Sequence, residues 1–332
     1  MSGDVLVTGG AGFVGSHVVD ALLARGERVR VLVRGTTDRR FLPADKVRFV
    51  PGDVGDESPQ GEIDLGRAVA GARLVVHAAG ITQARRRDDF ARVNTRGTER
   101  VVRAARAEGV MRVVLVSSQA AAGPTPGTAP RVEGDADAPV GAYGASKVGA
   151  ERAARAILAD GPTELVIVRP PAVYGPRDKA FLQLFRLVQS GVVPLHRPTR
   201  QWVSVIHGRD LAAGLVLAGE RGTPGSTYYV SDGVPRTAAS IVDAIAQALG
   251  KRPLRLDLPA PALGLAVGVA EAYAALTGAP ARLTRERLAD WTAPRWTVSD
   301  EAARRDLGFA PTIGFRQGIE ETAAWYRSVG WI

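Results

Sequence analysis

The sequence predicts an α/β fold: a doubly wound parallel sheet followed by a smaller, irregular C-terminal lobe. Three observations predict it. Short apolar runs alternate with helix-period segments through the first half. The runs are apolar almost throughout rather than alternating, the pattern of strands buried on both faces. A glycine-rich turn follows the first run and opens the first helical segment.

The strands read in order as DVLVT from Asp4, RVRVLVR from Arg28, VRFVPGD from Val47, RLVVHAA from Arg73, RVVLVSS from Arg112 and ELVIVRP from Glu164. Between them lie SHVVDALLARG, TERVVRAARAEG and SKVGAERAARAILADG. Each closes on a glycine, which predicts C-caps at Gly26, Gly109 and Gly161. Strand–helix–strand repetition with right-handed crossovers gives a parallel sheet with helices on both faces. After about Pro176 the rhythm breaks. Helical pieces (AFLQLFRLVQSG, TAASIVDAIAQALG, GIEETAAWYRSVG) mix with short strands such as STYYVSD and with proline-rich connections. Residues 1–176 are expected to form the sheet domain, with some later segments returning to it. Residues 177–332 form mainly the second lobe, which should roof the carboxyl edge of the sheet, where such folds bind ligands.

Composition narrows the chemistry. With no cysteine among 332 residues, disulfides, thiolate metal sites and a cysteine nucleophile are excluded. His17, His77, His196 and His207 show no metal-ligand spacing, so no metal site is expected. The formal charge is +9, but the only tight basic run is Arg85–Arg86–Arg87, without interleaved aromatics. That reads as solvated surface and not as a nucleic-acid stripe. The chain enters a strand at once, without a basic leader, so a cytoplasmic protein is expected. The apolar stretch Pro259–Gly278 contains Glu271 and internal glycines, a poor membrane span.

TGGAGFVG, from Thr8 to Gly15, follows the first strand and opens the first helix. A dinucleotide pyrophosphate needs close backbone approach and helix N–H groups aimed at it, which side chains on Gly9, Gly12 and Gly15 would obstruct. Thr8, Phe13 and Val14 share that turn. Arg34 ends the second strand, where an acidic residue would accept the ribose 2′-hydroxyl of NAD. A guanidinium there suits a 2′-phosphate instead, so NADP(H) is the expected cofactor, with NAD(H) the alternative; Arg39 and Arg40 are placed to assist. Asp53, with Val54 beside it, fits either an adenine contact or a turn residue. Ala78 and Ala79 leave room beside a nicotinamide ribose, and His77 reads as a packed strand-end histidine.

Tyr143 and Lys147 lie at i,i+4 on one helical face, and Ser118 follows the fifth strand. A lysine ammonium beside the phenol predicts a pKa drawn below its usual value of about 10, which suits proton exchange with an alcohol or carbonyl. Ser118 would orient the substrate oxygen. A Tyr-x-x-x-Lys pair and a strand-end serine are each common for structural reasons. Their order after a dinucleotide loop is what selects chemistry.

TGGAGFVG, the HAAG stretch, Asn94 in VNTRGTERVV, VSSQA, YGASK and RPPAVYGPRD, with the DLA stretch at Asp210 and DLGFAPTIGFRQGI, together resemble the extended short-chain dehydrogenases/reductases over nearly the whole chain. The resemblance implies a Rossmann fold, a catalytic Ser118–Tyr143–Lys147 set and a variable C-terminal substrate lobe. It also implies cofactor contacts by Asn94 and near Pro170–Pro171, a small-molecule substrate and a frequent homodimer. In pattern it is nearest the 3β-hydroxysteroid dehydrogenase/dihydroflavonol reductase branch. Dehydratases of this family need an acidic pair where Gln119 and Ala120 stand, and nucleotide-sugar epimerases usually carry an asparagine where Ala172 stands. Hydride transfer between nicotinamide and a fairly apolar ketone or secondary alcohol is therefore expected, ahead of a nucleotide-sugar epimerase or a catalytically silent nucleotide-binding regulator. The stretch from Leu254 fits a pocket wall, a buried core helix or a membrane-touching face. Trp202, Trp291 and Trp296 fit either pocket or lobe packing.

Overall fold

The computed structural model describes residues 3–84, 86–197, 201–259, 264, 267–268 and 293–332. Its first half runs β1 (Asp4–Thr8), α1 (Phe13–Ala24), β2 (Val29–Val33), β3 (Val47–Pro51), α2 (Pro59–Val69) and β4 (Ala72–His77). It continues through a short helix α3 (Arg87–Phe90), a wide turn (Ala91–Arg96), α4 (Gly97–Ala107), β5 (Arg112–Val116), a single-turn helix α5 (Gln119–Ala122), α6 (Gly141–Leu158) and β6 (Glu164–Arg169). The six strands and a seventh, Thr227–Tyr229, form one parallel sheet in the order seventh–β6–β5–β4–β1–β2–β3. This is the Rossmann order with one strand added at the β6 edge.

Register sets the ligand edge. Thr8 is level with Leu32 on one side and His77 on the other, and His77 is level with Leu115. The residues one to three positions further on therefore emerge together: the glycine loop after β1, Arg34 after β2, Ala78 and Ala79 after β4, Ser117 and Ser118 after β5. Val5, Val7, Val76, Val114 and Val168 pack on one face of the sheet and Leu6, Val75, Val113, Leu115 and Ile167 on the other. Burial on both faces explains why the strands show no polar alternation.

Residues beyond Pro176 do not all leave the sheet. Helix Gly208–Arg221 packs with α1 in the first core, through Leu211 and Leu215. Gly208 permits that approach, since a Cβ there would fall 2.8 Å from the His17 ring and 3.0 Å from Phe13. A third core, around Tyr174, Phe185, Ile245, Ile319 and Tyr326, belongs to the lobe. Three small sheets accompany it: Ala172–Tyr174 with Val205–His207; Trp202–Val203 between Arg236–Thr237 and Arg295–Trp296; and Val192–Arg197 with Leu254–Pro259. Trp202 and Trp296 are half-buried. Trp291, Arg85 and most of the apolar stretch beyond Pro259 lie outside the described residues.

Two local expectations need correction or addition. Gly26 and Gly109 take the left-handed conformation after α1 and α4, with φ of 75° and 66°. Gly161 does not, and α6 ends earlier, at Leu158. Pro162 follows Gly161 and favours extended backbone there, so the chain runs on toward β6 without a left-handed cap. Helix α2 was not anticipated, although Ser58 caps it by accepting from the Gly61 N–H at 3.2 Å and Pro59 opens it. Among the described residues no helix is long and apolar enough to cross a membrane.

Asp210 fastens the C-terminal segment to the sheet domain. Its carboxylate accepts from the Thr312 N–H (3.0 Å), the Thr312 hydroxyl (2.8 Å) and the Ile313 N–H (3.1 Å), while being 3% exposed. Asp210→Ala strands those donors and should cost about 2–4 kcal/mol in urea unfolding, whereas Asp210→Asn should recover part of the loss.

Candidate active site

The glycine loop is shaped by its own backbone. Gly9 has φ of 69°, and a Cβ on it would fall 2.6 Å from the Ala79 nitrogen; one on Gly15 would fall 2.2 Å from the Gly9 carbonyl oxygen. The first turn of α1 carries no acidic residue, and its N-cap, Gly12, supplies no side-chain cap. The first intrahelical bond there is Ser16 N–H to Gly12 O, so the N–H groups of Phe13, Val14 and Gly15 have no partner from the helix itself. A positive helix end with bare donors and no side chains in front of it fits a pyrophosphate.

Arg34 is exposed directly after β2, in a tight turn where its N–H donates to the Thr37 hydroxyl (2.9 Å) and its carbonyl accepts from the Thr37 N–H (3.0 Å). Its guanidinium has no partner among the described residues. Arg40 instead pairs with Asp38 at 2.5 Å, and Arg39 lies 4.6 Å over the Phe49 ring.

Asp53 spends one carboxylate oxygen on its own turn, accepting from the Gly55 N–H at 2.8 Å. The Val54 carbonyl accepts from Arg100 (3.0 Å), and the Pro170 carbonyl from the Gln119 N–H (2.9 Å). Asn94 is 1% exposed; its amide accepts from the Ile81 N–H and donates to the Ile81 carbonyl and the Ser146 hydroxyl, at 2.8–3.0 Å. It therefore staples the loop after β4 to α6. His77 is buried between Thr8 (2.6 Å) and Thr98 (3.0 Å), and burial, helped by the Lys147 charge, lowers its pKa to about 3. It is a neutral packed histidine.

Ser118, Tyr143 and Lys147 converge at the carboxyl end of β5. Ser118 caps the single turn α5, its hydroxyl accepting from the Ala120 N–H at 3.1 Å, and it lies beside the Tyr143 phenol. Tyr143 is half-buried against Phe90, with ring centroids 6.0 Å apart. Gly144 lets α6 lie against α5, since a Cβ there would fall 2.5 Å from the Ala120 carbonyl oxygen. Lys147 is 6% exposed and donates to the Val116 carbonyl at 2.7 Å. Burial lowers its pKa to about 8, opposed by the Glu151 carboxylate.

The electrostatics correct one expectation. Burial raises the Tyr143 phenol above its usual value, and the opposing influence is the hydrogen bond with Ser118, not the Lys147 charge. The ammonium is directed to a backbone carbonyl, so in the protein alone it does not draw the phenol down.

The sequence reading also missed what lies beneath the pair. Glu151 continues the same helical face, four residues past Lys147. It accepts from the Ser117 hydroxyl and takes Arg169 in a two-pronged ion pair at 2.9 and 2.6 Å. Asp137 meets the same guanidinium at 2.9 Å. The i,i+4,i+8 spacing of Tyr143, Lys147 and Glu151 was the available signal.

Residues 5–231 match the NAD dependent epimerase/dehydratase family. The chain belongs to that family. Its motifs are those of the extended short-chain dehydrogenases/reductases, and it is an enzyme of the NAD(P)-dependent oxidoreductase type. It is 36% identical to a ceramide reductase of Caulobacter vibrioides, over 99% of this chain and 96% of that protein. It is 31% identical to the 4-hydroxy-2-methyl-3-oxo-4-farnesyl-3,4-dihydroquinoline-1-oxide ketoreductase of Stigmatella aurantiaca, over 95% and 94%. Among solved structures it resembles DesIV, a dTDP-glucose 4,6-dehydratase of Streptomyces venezuelae with NAD and TYD bound (TM-score 0.80, 26% identity, 99% of this chain and 98% of that one).

The buried lysine of this family member should titrate early. Its ammonium holds the proton below about pH 8 and loses it above, well before a free lysine. NMR of ¹⁵N-labelled lysines should place the Lys147 midpoint near 8; a midpoint near that of an exposed lysine would contradict the burial argument.

Proposed function

We propose that the protein is an NADP(H)-dependent ketoreductase acting on a fairly apolar ketone. The observation that carries this reading is the convergence of Ser118, Tyr143 and Lys147 at the ligand edge of the sheet, where β5 ends. A phenol there can give a proton, which is what a carbonyl oxygen requires as it becomes an alcohol. NADP(H), when bound, supplies the hydride. Ser118 orients the carbonyl oxygen toward the phenol. Lys147, anchored on the Val116 carbonyl, brings a positive charge to the same edge, where it favours negative charge developing on oxygen. The N–H groups of the first turn of α1 would hold the pyrophosphate, and the Arg34 guanidinium, without a partner among the described residues, would take the 2′-phosphate.

The substrate class rests on two supports. Gln119 and Ala120 stand beside Ser118 and offer no carboxylate for elimination of water. The two named relatives are both reductases, one named for ceramide and one for a farnesyl-bearing 3-oxo compound.

Tyr143→Phe removes the proton donor and keeps the ring. Turnover in a ketone screen followed by NADPH absorbance should fall about 10²–10⁴-fold, with NADPH affinity changed little; retained activity would sink the assignment. Arg34→Asp places a like charge opposite a 2′-phosphate. By fluorescence titration it should weaken NADPH binding at least about tenfold while leaving NADH nearly unchanged; equal effects on both would exclude the NADP(H) reading.

A further inference from the structure

The loop from Arg34 to Leu42 is fastened at its far end in two directions. Leu42 is 7% exposed and joins the sheet core. Phe41 turns the other way, onto the C-terminal helix Phe315–Ser328 and the chain end. Its ring meets Trp325 edge-on at 5.6 Å and Trp331 at 6.4 Å between centroids. The Arg177 guanidinium lies 5.6 Å from the same ring and pairs with Asp20 of α1 at 2.7 Å. Arg177 has φ of 73°, the only left-handed non-glycine among the described residues.

Trp331 is itself held from several sides. It packs on Trp325 at 5.0 Å and stacks on Tyr326 at 5.8 Å; its N–H donates to the Tyr326 carbonyl at 2.8 Å, and its carbonyl accepts from Arg186 at 3.1 Å. The seat for Phe41 is therefore built from the lobe's own contacts. A cleft of about 250 Å³ beside it, lined by Arg40, Lys179, Arg186 and Trp331 among others, carries no acidic side chain.

We propose that this aromatic clasp determines cofactor specificity: Trp325 and Trp331, by seating Phe41, pre-order the Arg34–Leu42 loop so that its basic residues meet the 2′-phosphate. The inference rests on the NADP(H) reading above. A largely exposed loop that must be ordered on binding loses affinity to that ordering, and one already seated does not. The loss falls only on a ligand that uses the loop. NADH lacks the 2′-phosphate and does not engage Arg34 through it, so the clasp acts on the ratio of affinities and not on dinucleotide binding as such. Phe41 and Trp331 are thus positioning residues.

The test uses Phe41→Ala, Trp331→Ala, the double variant and Trp331→Phe, each checked for thermal unfolding. Phe41 lies outside the lobe core, so Phe41→Ala keeps the test available if Trp331→Ala folds poorly. Cofactor-free protein is treated briefly with trypsin, and cuts after Arg34, Arg39 and Arg40 are mapped by mass. The alanine variants should be cut faster at those bonds. Their Kd for NADPH should rise about tenfold, with that for NADH within about twofold. The double variant should match the singles, and Trp331→Phe should resemble the wild type. Unchanged cutting, or equal loss of both cofactors, overturns the proposal. A wild type that binds NADH more tightly than NADPH overturns the cofactor reading instead, and the trypsin pattern still decides whether the clasp holds the loop.

Discussion

A buried carboxylate underlies the site. Glu151 sits 3% exposed beneath Lys147 and accepts from Ser117 and Arg169. Without it the interior would hold two cations, the Lys147 ammonium and the Arg169 guanidinium, with only the partly exposed Asp137 to answer them. Unpaired buried charge is among the most destabilising arrangements available to a fold. The network also spans three elements. Glu151 belongs to α6, Ser117 follows β5, and Arg169 ends β6, so satisfying one carboxylate fixes the height of α6 against the sheet. That height places Tyr143 opposite Ser118.

The phenol and the ammonium are tuned by different neighbours. Burial moves both toward their neutral forms, but Tyr143 is answered by Ser118 and Lys147 by Glu151. The pair that looks coupled along the helix is answered by separate neighbours. Ser117 and Ser118 are adjacent in β-extended chain and point to different partners, one to the carboxylate beneath and one to the phenol above. Two consecutive serines after β5 thus serve the support and the chemistry separately.

Much of this was legible in the sequence, for identifiable reasons. Most strands of the first half could be read because burial on both faces leaves nearly uninterrupted apolar runs; β3, at the sheet edge with Arg48 exposed, is the exception. The glycine loop could be read because close backbone approach tolerates no side chain at Gly9 or Gly15. The Gly161 cap failed because a proline two residues past the predicted helix end outweighs the local glycine signal. The direction of the Tyr143 shift failed because spacing along a helix does not reveal that a backbone carbonyl claims the ammonium. Arg169 and Asp137 were invisible for a further reason: Arg169 lies 18 positions from Glu151 and 32 from Asp137, and meets both only through tertiary packing.

The contact between Phe41 and Trp331 joins positions far apart in the sequence. During synthesis the first sheet strands and their glycine turn emerge long before the aromatic seat does, and domains tend to fold as their residues become available. The strand Thr227–Tyr229 and helix Gly208–Arg221 must arrive before the sheet and its first core are complete. The basic loop waits longer still, because Trp331 completes its seat. Its final posture therefore depends on residues made long after the sheet edge that it serves.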